Sequence, residues 1–238
     1  MSLPDFSPRP SSPPPGGLDP PDSALFLVIT GTLVDLIDDP KAVRADAALL
    51  DLLLRLSALL GGALALVSGR DLADIDRIMA PLRLPAAGGH GAALRRRAGA
   101  AASSLPPSPK STTAAARDGV RVERKTHSTA FHYRGRPEAR TAAQAMAQRL
   151  LAELGDGWRL LPGKDVFEVL PTTADKGRAV ARFMEAPPFA GRRPIFIGDD
   201  VTDEGGFNEV NGRSGLSIRI GPPAPLSPAG GGAGAGPA

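Results

Sequence analysis

Short apolar runs alternate with stretches of helical spacing along the first part of the chain. The run ALFLVI (residues 24–29) ends in Thr-Gly-Thr, which predicts a buried strand followed by a tight loop. Leucines at helical spacing predict a helix over residues 41–60 that stops at Gly61 and Gly62. The run ALALVS (63–68) and a short helix come next. This alternation predicts an α/β fold with a parallel, Rossmann-like sheet and right-handed crossovers.

The pattern changes over residues 93–171. A loop rich in Pro, Ser, Thr and Ala precedes two alternating strands, a helix and two further strands, predicted at 119–125, 128–134, 137–154, 158–161 and 166–170. Strand pairs around a helix predict a small α+β cap unit inserted into the α/β domain. The first pattern then resumes at Lys176 with helix, strand (194–198), short helix and a last strand (216–220).

The chain therefore divides into two core parts, a cap and two tails. The core parts are residues 23–92 and 172–220, and the cap is residues 93–171. Residues 1–22 and 221–238 are rich in Pro, Gly and Ser and lack periodic apolar positions. We expect both tails to be disordered, because they cannot bury enough surface to offset the entropy of ordering.

Composition and charge exclude several classes of function. The 238 residues include no Cys, which excludes disulfides, thiolate metal sites and a Cys nucleophile and suits the cytoplasm. No apolar run reaches the roughly 18 residues that span a bilayer, and the N-terminus lacks a signal pattern, so we expect no membrane partner. The formal net charge is +3, but the basic residues are scattered and aromatic residues are few. We therefore expect no nucleic-acid partner either.

The most informative polar segment is GDDVTDE, directly after the predicted strand 194–198. Asp199, Asp200 and Asp203 repel one another unless a cation or a ligand lies among them, and Mg²⁺ is usually held by one or two carboxylates with waters and phosphate oxygens. The alternative is an acidic helix start, which Asp203 and Glu204 alone could provide. Because that alternative leaves the adjacent aspartates at the strand end unexplained, we predict a Mg²⁺ site.

Two further signals point to a phosphate. Ser68, Gly69 and Arg70 follow the second strand and offer a hydroxyl, a permissive backbone and a guanidinium at a helix start, although Ser-Gly also marks ordinary turns. Lys176 opens a helix, where its charge opposes the helix dipole unless an anion is near. Ligands of parallel sheets bind beyond the carboxyl ends of the strands. We therefore expect a phosphate and Mg²⁺ at that edge.

The order of GTL, VSGR, KG and GDDxTDE resembles the haloacid-dehalogenase-like phosphatases and, within them, the trehalose-6-phosphate phosphatases. The narrower resemblance rests on GGHGA (88–92), VERKTHSTAFHYR (122–134) and GKDVFEVLP (163–171). It covers nearly all of residues 25–220. It implies a Rossmann-like core, an inserted cap that closes over the sugar, and a sugar phosphate, trehalose 6-phosphate, as the small-molecule partner.

The resemblance also implies roles for individual residues. The phosphate would be bound by Thr32, Ser68, Gly69 and Lys176. Mg²⁺ would be held, directly or through water, by Asp199, Asp200, Asp203 and the backbone carbonyl of Thr30. The substrate would contact Arg70, His90, Glu123, Lys125 and Glu168.

Four positions leave alternatives open or depart from the family pattern. Glu123 and Lys125 lie two apart on one strand face and could instead be a solvated pair. His132 could be either a packed histidine or a contact residue. Ala93 stands where the family pattern has a glutamate after His-Gly-Ala.

The first motif departs from the family pattern Asp-x-Asp-Gly-Thr, because this chain has Val28 and Thr30 at the two aspartate positions. In the family mechanism the first carboxylate attacks phosphorus, and the second protonates the leaving sugar oxygen. Valine has no lone pair, so Val28 is not a nucleophile, and no catalytic residue is intact. Two interpretations stay open: a trehalose-6-phosphate phosphatase with impaired or no activity, and a catalytically dead regulatory protein that binds the sugar phosphate.

Overall fold

The computed structural model describes residues 19–35, 41–109 and 118–221, which form two β-sheets and their helices. The strands are β1 (Ser23–Val28), β2 (Leu64–Val67), β3 (Ala86–Gly88), β4 (Ala93–Arg95), β5 (Ser103–Ser104), β6 (Arg121–Arg124), β7 (Thr129–His132), β8 (Trp158–Gly163), β9 (Val166–Pro171), β10 (Arg193–Gly198) and β11 (Leu216–Arg219). The helices are α1 (Ala47–Leu59), α2 (Leu72–Ile78), α3 (Arg140–Leu154), α4 (Lys176–Met184) and α5 (Glu204–Gly212).

The larger sheet has seven strands in the order β11-β10-β1-β2-β3-β4-β5. Pairing is parallel from β11 to β3 and antiparallel from β3 to β5. Every residue of β1 and of β2 is buried, as expected for central strands of a parallel sheet with helical crossovers. The predicted α/β fold with a Rossmann-like core is confirmed.

The smaller sheet has four antiparallel strands in the order β6-β7-β9-β8. Helix α3 packs on it, and Phe131, Met146 and Phe167 belong to their shared apolar core. All of this unit lies between β5 and α4 in the chain. The strand pairs and the helix that the sequence predicts over residues 119–170 are therefore present, with ends shifted by a few residues.

Two predictions of local structure are wrong. The helix predicted from residue 41 begins at Ala47, because Asp46 caps it and accepts a hydrogen bond from the backbone N–H of Leu49. The loop predicted from residue 93 contains β4 and β5, which extend the larger sheet. Arg95 in β4 is fully buried, and its guanidinium bonds to the carboxylate of Asp76 at 2.6 and 2.9 Å.

Most of the two predicted tails, residues 1–18 and 222–238, lies outside the described residues. At the inner end of the first tail, Pro20–Asp22 forms a short 3₁₀ helix before β1. Among the helices of the described ranges, none has the length and apolarity to cross a bilayer.

Candidate functional site

A cleft of about 1290 Å³ lies between the two sheets. One side is formed at the carboxyl ends of β1, β2 and β10, and the other at β6, β7 and β9. The predicted site residues that line it are Val28, Thr30, Ser68, Gly69, Arg70, His90, Glu123, Lys125, Glu168, Lys176, Asp199, Asp200 and Asp203. The remaining one, Thr32, donates a hydrogen bond to Asp199. The fold thus brings these residues to one cleft, and Thr32 is bonded to one of them.

Val28 ends β1 at the floor of this cleft. Its side chain is buried, and its backbone is in register with Val67 of β2. Two residues further on, the hydroxyl oxygen of Thr30 accepts a hydrogen bond from Nε of Arg70 at 3.0 Å. The strand end therefore presents an aliphatic side chain and a hydroxyl that is already bonded to a guanidinium.

The loop after β2 packs against His90. Oγ of Ser68, which is buried, accepts a hydrogen bond from the backbone N–H of Arg70 at 3.1 Å. A Cβ at Gly69 would lie 2.4 Å from Nε2 of His90, so this close approach requires glycine. His90 itself has a positive φ of 55°, which few side chains adopt. The imidazole is thereby fixed over the loop.

Lys176 and Asp203 form a buried ion pair. Nζ of Lys176 donates to Oδ1 of Asp203 and, at 3.2 Å, to the hydroxyl of Thr202. Oδ2 of Asp203 accepts the backbone N–H groups of Asp199 and Asp200, each at 3.0 Å. Because both oxygens of Asp203 have donors, this carboxylate orders the acidic loop and holds Lys176 at the cleft.

Asp199 is the half-buried acid of the same loop. Burial, together with the neighbouring carboxylates Asp203 and Asp200, raises its pKa, although the hydrogen bond from Thr32 at 2.9 Å acts in the opposite direction. A Cβ at Gly31, whose φ is 91°, would lie 2.0 Å from Oδ2 of Asp199, so the turn after β1 also requires glycine.

The acidic loop offers few carboxylate oxygens to a divalent cation. Within residues 19–35, 41–109 and 118–221, no group of three His, Asp or Glu side chains is placed to hold a metal ion. The carboxylate of Asp200 caps the following 3₁₀ helix, with Oδ1 accepting from Val201 at 2.7 Å. The carboxylate of Asp199 and the backbone carbonyl of Thr30, which the sequence predicts as a ligand, remain for a cation. Mg²⁺ can be bound by as little as one carboxylate when waters and phosphate oxygens complete its coordination, so these residues fit Mg²⁺ at the lower limit.

Glu168 is the buried acid on the opposite wall. Its Oε1 accepts from Nζ of Lys125 at 2.9 Å and from the hydroxyl of Ser128 at 2.5 Å, and its Oε2 lies 3.3 Å from Nε2 of His90. Burial acts to raise the pKa of Glu168, but Lys125 and His90 outweigh it and hold the pKa well below its usual range. Burial lowers the pKa of His90. At neutral pH a carboxylate and a neutral imidazole therefore meet here, beside Nζ of Lys125.

Glu123 has a different partner from Lys125. Its Oε2 lies 2.7 Å from Nε2 of His132, and this hydrogen bond lowers the pKa of Glu123 against the effect of burial. Lys125 instead donates to Glu168 and, at 3.2 Å, to the carbonyl of Gly69. The alternative of a solvated Glu123–Lys125 pair is therefore wrong, and His132 is bonded at the cleft rather than only packed.

Sequence reasoning missed two contributors to the site. Ser128 binds Glu168, and Thr202 binds Lys176. Both lie inside segments that the motifs include, KTHSTAFHYR and GDDVTDE, yet a single hydroxyl residue carries no signal of its own.

Comparison with known proteins agrees with the resemblance of the motifs. The sequence model of the family described as Trehalose-phosphatase matches residues 26–224. The chain is 45% identical over 213 residues to the probable trehalose-phosphate phosphatase of Sinorhizobium fredii, covering 87% of this chain and 80% of that protein. It is 37% identical to the trehalose-6-phosphate phosphatase of Escherichia coli, covering 83% of this chain and 77% of that protein.

Among solved structures, the C-terminal domain of trehalose-6-phosphate phosphatase from C. albicans matches with a TM-score of 0.67 at 24% identity. The match covers 81% of this chain and 74% of that one. At this identity the match supports the fold alone.

Proposed function

Because the chain belongs to the trehalose-phosphatase family, we propose that its cleft binds trehalose 6-phosphate, a phosphorylated disaccharide. The phosphate would lie at the carboxyl ends of β1 and β2, near the buried Ser68 and Lys176. The sugar would lie against the smaller sheet, where Glu168 and Lys125 are held by hydrogen bonds. Support comes from the charge of this cleft, which offers a buried ammonium to an anion and ordered polar groups to hydroxyls.

We further propose that turnover is impaired or absent. The observation that carries this proposal is the buried side chain of Val28 at the end of β1, where the family pattern has a nucleophilic carboxylate. Asp35 lies further along the chain and is exposed, and Asp199 is bonded to Thr32. Loss of a nucleophile costs a factor on the order of 10⁴ to 10⁶ in rate, and loss of acid–base help at Thr30 costs roughly 10² to 10⁴.

Asp199 and the carbonyl of Thr30 would hold Mg²⁺, with Asp200 beside them and Asp203 ordering the loop. When bound, the ion would neutralise charge on the phosphate oxygens. Two side chains of the protein would complete the site. Lys176 would bind the phosphate, and Arg70, which is hydrogen-bonded to Thr30, would fix the end of β1. We expect weak Mg²⁺ binding, since a single carboxylate is available. The cytoplasmic location stays a prediction.

The second candidate function is a regulatory protein that binds the sugar phosphate without hydrolysing it. The contrast between the reactive position and the proposed binding residues favours this candidate. Val28 leaves the site without a nucleophile, whereas Lys176, Ser68 and Glu168 are held by hydrogen bonds. The affinity for trehalose 6-phosphate distinguishes such a binding protein from a protein that has lost both binding and catalysis.

Phosphate release from trehalose 6-phosphate with Mg²⁺ tests the proposal. The unaltered chain should release little phosphate, and the double variant Val28→Asp with Thr30→Asp should restore turnover. Calorimetry should show that the unaltered chain still binds trehalose 6-phosphate. Equal turnover by both proteins would refute the impairment, and a lack of binding at millimolar ligand would refute the binding function.

A further inference from the structure

Asp71 is the N-cap residue of α2, yet its side chain makes no hydrogen bond to that helix. The N-cap aspartates of α1 and α4 behave differently: Asp46 and Asp175 each accept a bond from the backbone N–H three residues further on. An N-cap aspartate ordinarily does this because the first N–H groups of a helix lack partners. Another contact therefore turns the carboxylate of Asp71 away from α2.

That contact is with Thr126, in the turn between β6 and β7. Oδ2 of Asp71 accepts both the backbone N–H of Thr126, at 3.0 Å, and its hydroxyl, at 2.9 Å. The two residues are 55 positions apart in the chain. Because the amide and the hydroxyl of one residue meet a single carboxylate, both the position and the orientation of Thr126 are fixed.

The conformation of the Asp71 side chain is energetically unfavourable at its other oxygen, Oδ1. Within the described part of the chain, Oδ1 of Asp71 is the buried side-chain oxygen that has no hydrogen-bond partner. A buried acceptor without a donor is unfavourable, so the bonds to Thr126 must offset both this oxygen and the missing helix cap. Capping of α2 does not account for the conformation of Asp71, whereas the hydrogen bonds to Thr126 do.

The turn held by Asp71 carries Lys125. The backbone N–H of Lys125 donates to the carbonyl of Ser128 at 2.9 Å, which closes the turn. Its Nζ reaches the carbonyl of Gly69 and the carboxylate of Glu168 at 3.2 and 2.9 Å. A shift of the turn would move Nζ away from Glu168 and from the floor of the cleft.

We propose that Asp71 is a positioning residue, which acts through Thr126 to set the place of the β6–β7 turn and of Lys125 over the larger sheet. The consequence for sugar binding rests on the proposed function. The position of the β6–β7 turn is independent of that function and can be measured without a ligand.

The chain has no Cys, so a pair of introduced cysteines gives a clean distance measurement. Ala58→Cys on α1 and Gln148→Cys on α3 are both exposed and carry spin labels for pulsed electron paramagnetic resonance. We expect one narrow distance distribution in the ligand-free protein. Asp71→Ala and Thr126→Val should broaden it and shift it to longer distances.

Two variants serve as controls. Thr126→Ser keeps the hydroxyl donor and should retain the narrow distribution. Asp46→Ala removes the N-cap aspartate of α1, which is bonded to its own helix and is not among the residues that line the cleft, and should also retain it. Unchanged distributions in both Asp71→Ala and Thr126→Val would overturn the positioning role.

Calorimetry separates this inference from the proposed function. Asp71→Ala should weaken the binding of trehalose 6-phosphate by about tenfold and leave that of inorganic phosphate unchanged. Unchanged affinity for both ligands in Asp71→Ala would overturn the consequence for sugar binding, whereas the label distances decide the positioning role. If the unaltered chain binds neither ligand, the proposed function fails, and the label distances still decide the role of Asp71.

Discussion

Lys125 and Glu168, 43 positions apart in the chain, form a largely buried ion pair in which Nζ lies 2.9 Å from Oε1. Ser128 donates to the same oxygen, and His90 lies at the other one. The carboxylate is therefore held from three sides by the protein itself. A sugar would meet groups that are already ordered, which lowers the entropy cost of binding.

Replacement of this acid measures the strength of the network. Glu168→Gln keeps the shape but removes the charge that pairs with Lys125, so we expect the free energy of unfolding to fall by about 1–3 kcal/mol. Urea denaturation gives this value. A double-mutant cycle with Lys125→Met should show a coupling of about 1 kcal/mol or more, and additive effects would contradict the pair.

The stability of the protein should depend on the protonation of His90. Burial lowers the pKa of His90 in the folded chain, so the folded state resists a proton that the unfolded state takes up below the ordinary value of 6.5. The free energy of unfolding should therefore fall as the pH drops below 6.5, by at most roughly 1.4 kcal/mol per pH unit. Glu168, whose pKa is depressed, adds its own loss only below its ordinary value of 4.5.

Urea denaturation at a series of pH values checks this dependence. His90→Asn, which tolerates the positive φ at this position, should flatten the change between pH 6.5 and 4.5. Glu168→Gln should leave a decline over the same interval. An identical slope in His90→Asn and the unaltered chain would rule out His90 as its source.

Gly69→Ala should disturb the floor of the cleft. The added methyl would lie 2.4 Å from Nε2 of His90, so the imidazole must move away from Glu168. We expect a loss of stability of about 1–3 kcal/mol and weaker binding of trehalose 6-phosphate. Gly212→Ala at the end of α5, where nothing outside its chain neighbours and its own helix backbone lies within 4 Å of the new methyl, is the matched control and should be close to neutral. Similar losses in both variants would speak against the close approach.

Lys176→Met should be the most damaging of these substitutions. Asp203 has no solvent exposure and would lose its counter-ion, and removal of one partner from a buried ion pair costs about 3–5 kcal/mol. Lys164→Met changes an exposed lysine of the same cleft and should alter stability by less than about 0.5 kcal/mol. Thermal unfolding of the two variants in parallel distinguishes them, and comparable midpoints would contradict a structural role for the buried pair.

The sequence predicts the central strands well because buried strands are recognisable as runs of consecutive apolar residues. In β1 and β2, continuous apolar runs mark strands that are covered on both faces, and in β10 a shorter apolar run marks a strand that is mostly buried. The pattern fails at β3 and β5, whose sequences Ala-Ala-Gly and Ser-Ser show neither an apolar run nor alternation. Pairing with neighbouring strands, rather than local preference, makes these segments extended.

The same contrast holds for the site. Ser68 and Asp199 can be predicted because each directly follows an apolar strand, where ligands of parallel sheets bind. Which side chains then pair with one another depends on how the two sheets face each other. The contacts of Asp71 with Thr126 and of His90 with Glu168 span long stretches of chain, and nothing in the local sequence of any of these residues indicates its partner.

Strand β1 lies between β10 and β2, and the hydrogen bonds of both neighbours set its register. Position 28 is thereby held at the floor of the cleft by the backbone, whichever side chain it carries. Under the proposed function, the side chain at position 28 would affect the reactivity of the cleft without changing the pairing of the strands around it. The backbone that forms the floor of the cleft is therefore determined separately from the side chain that the proposed chemistry would need there.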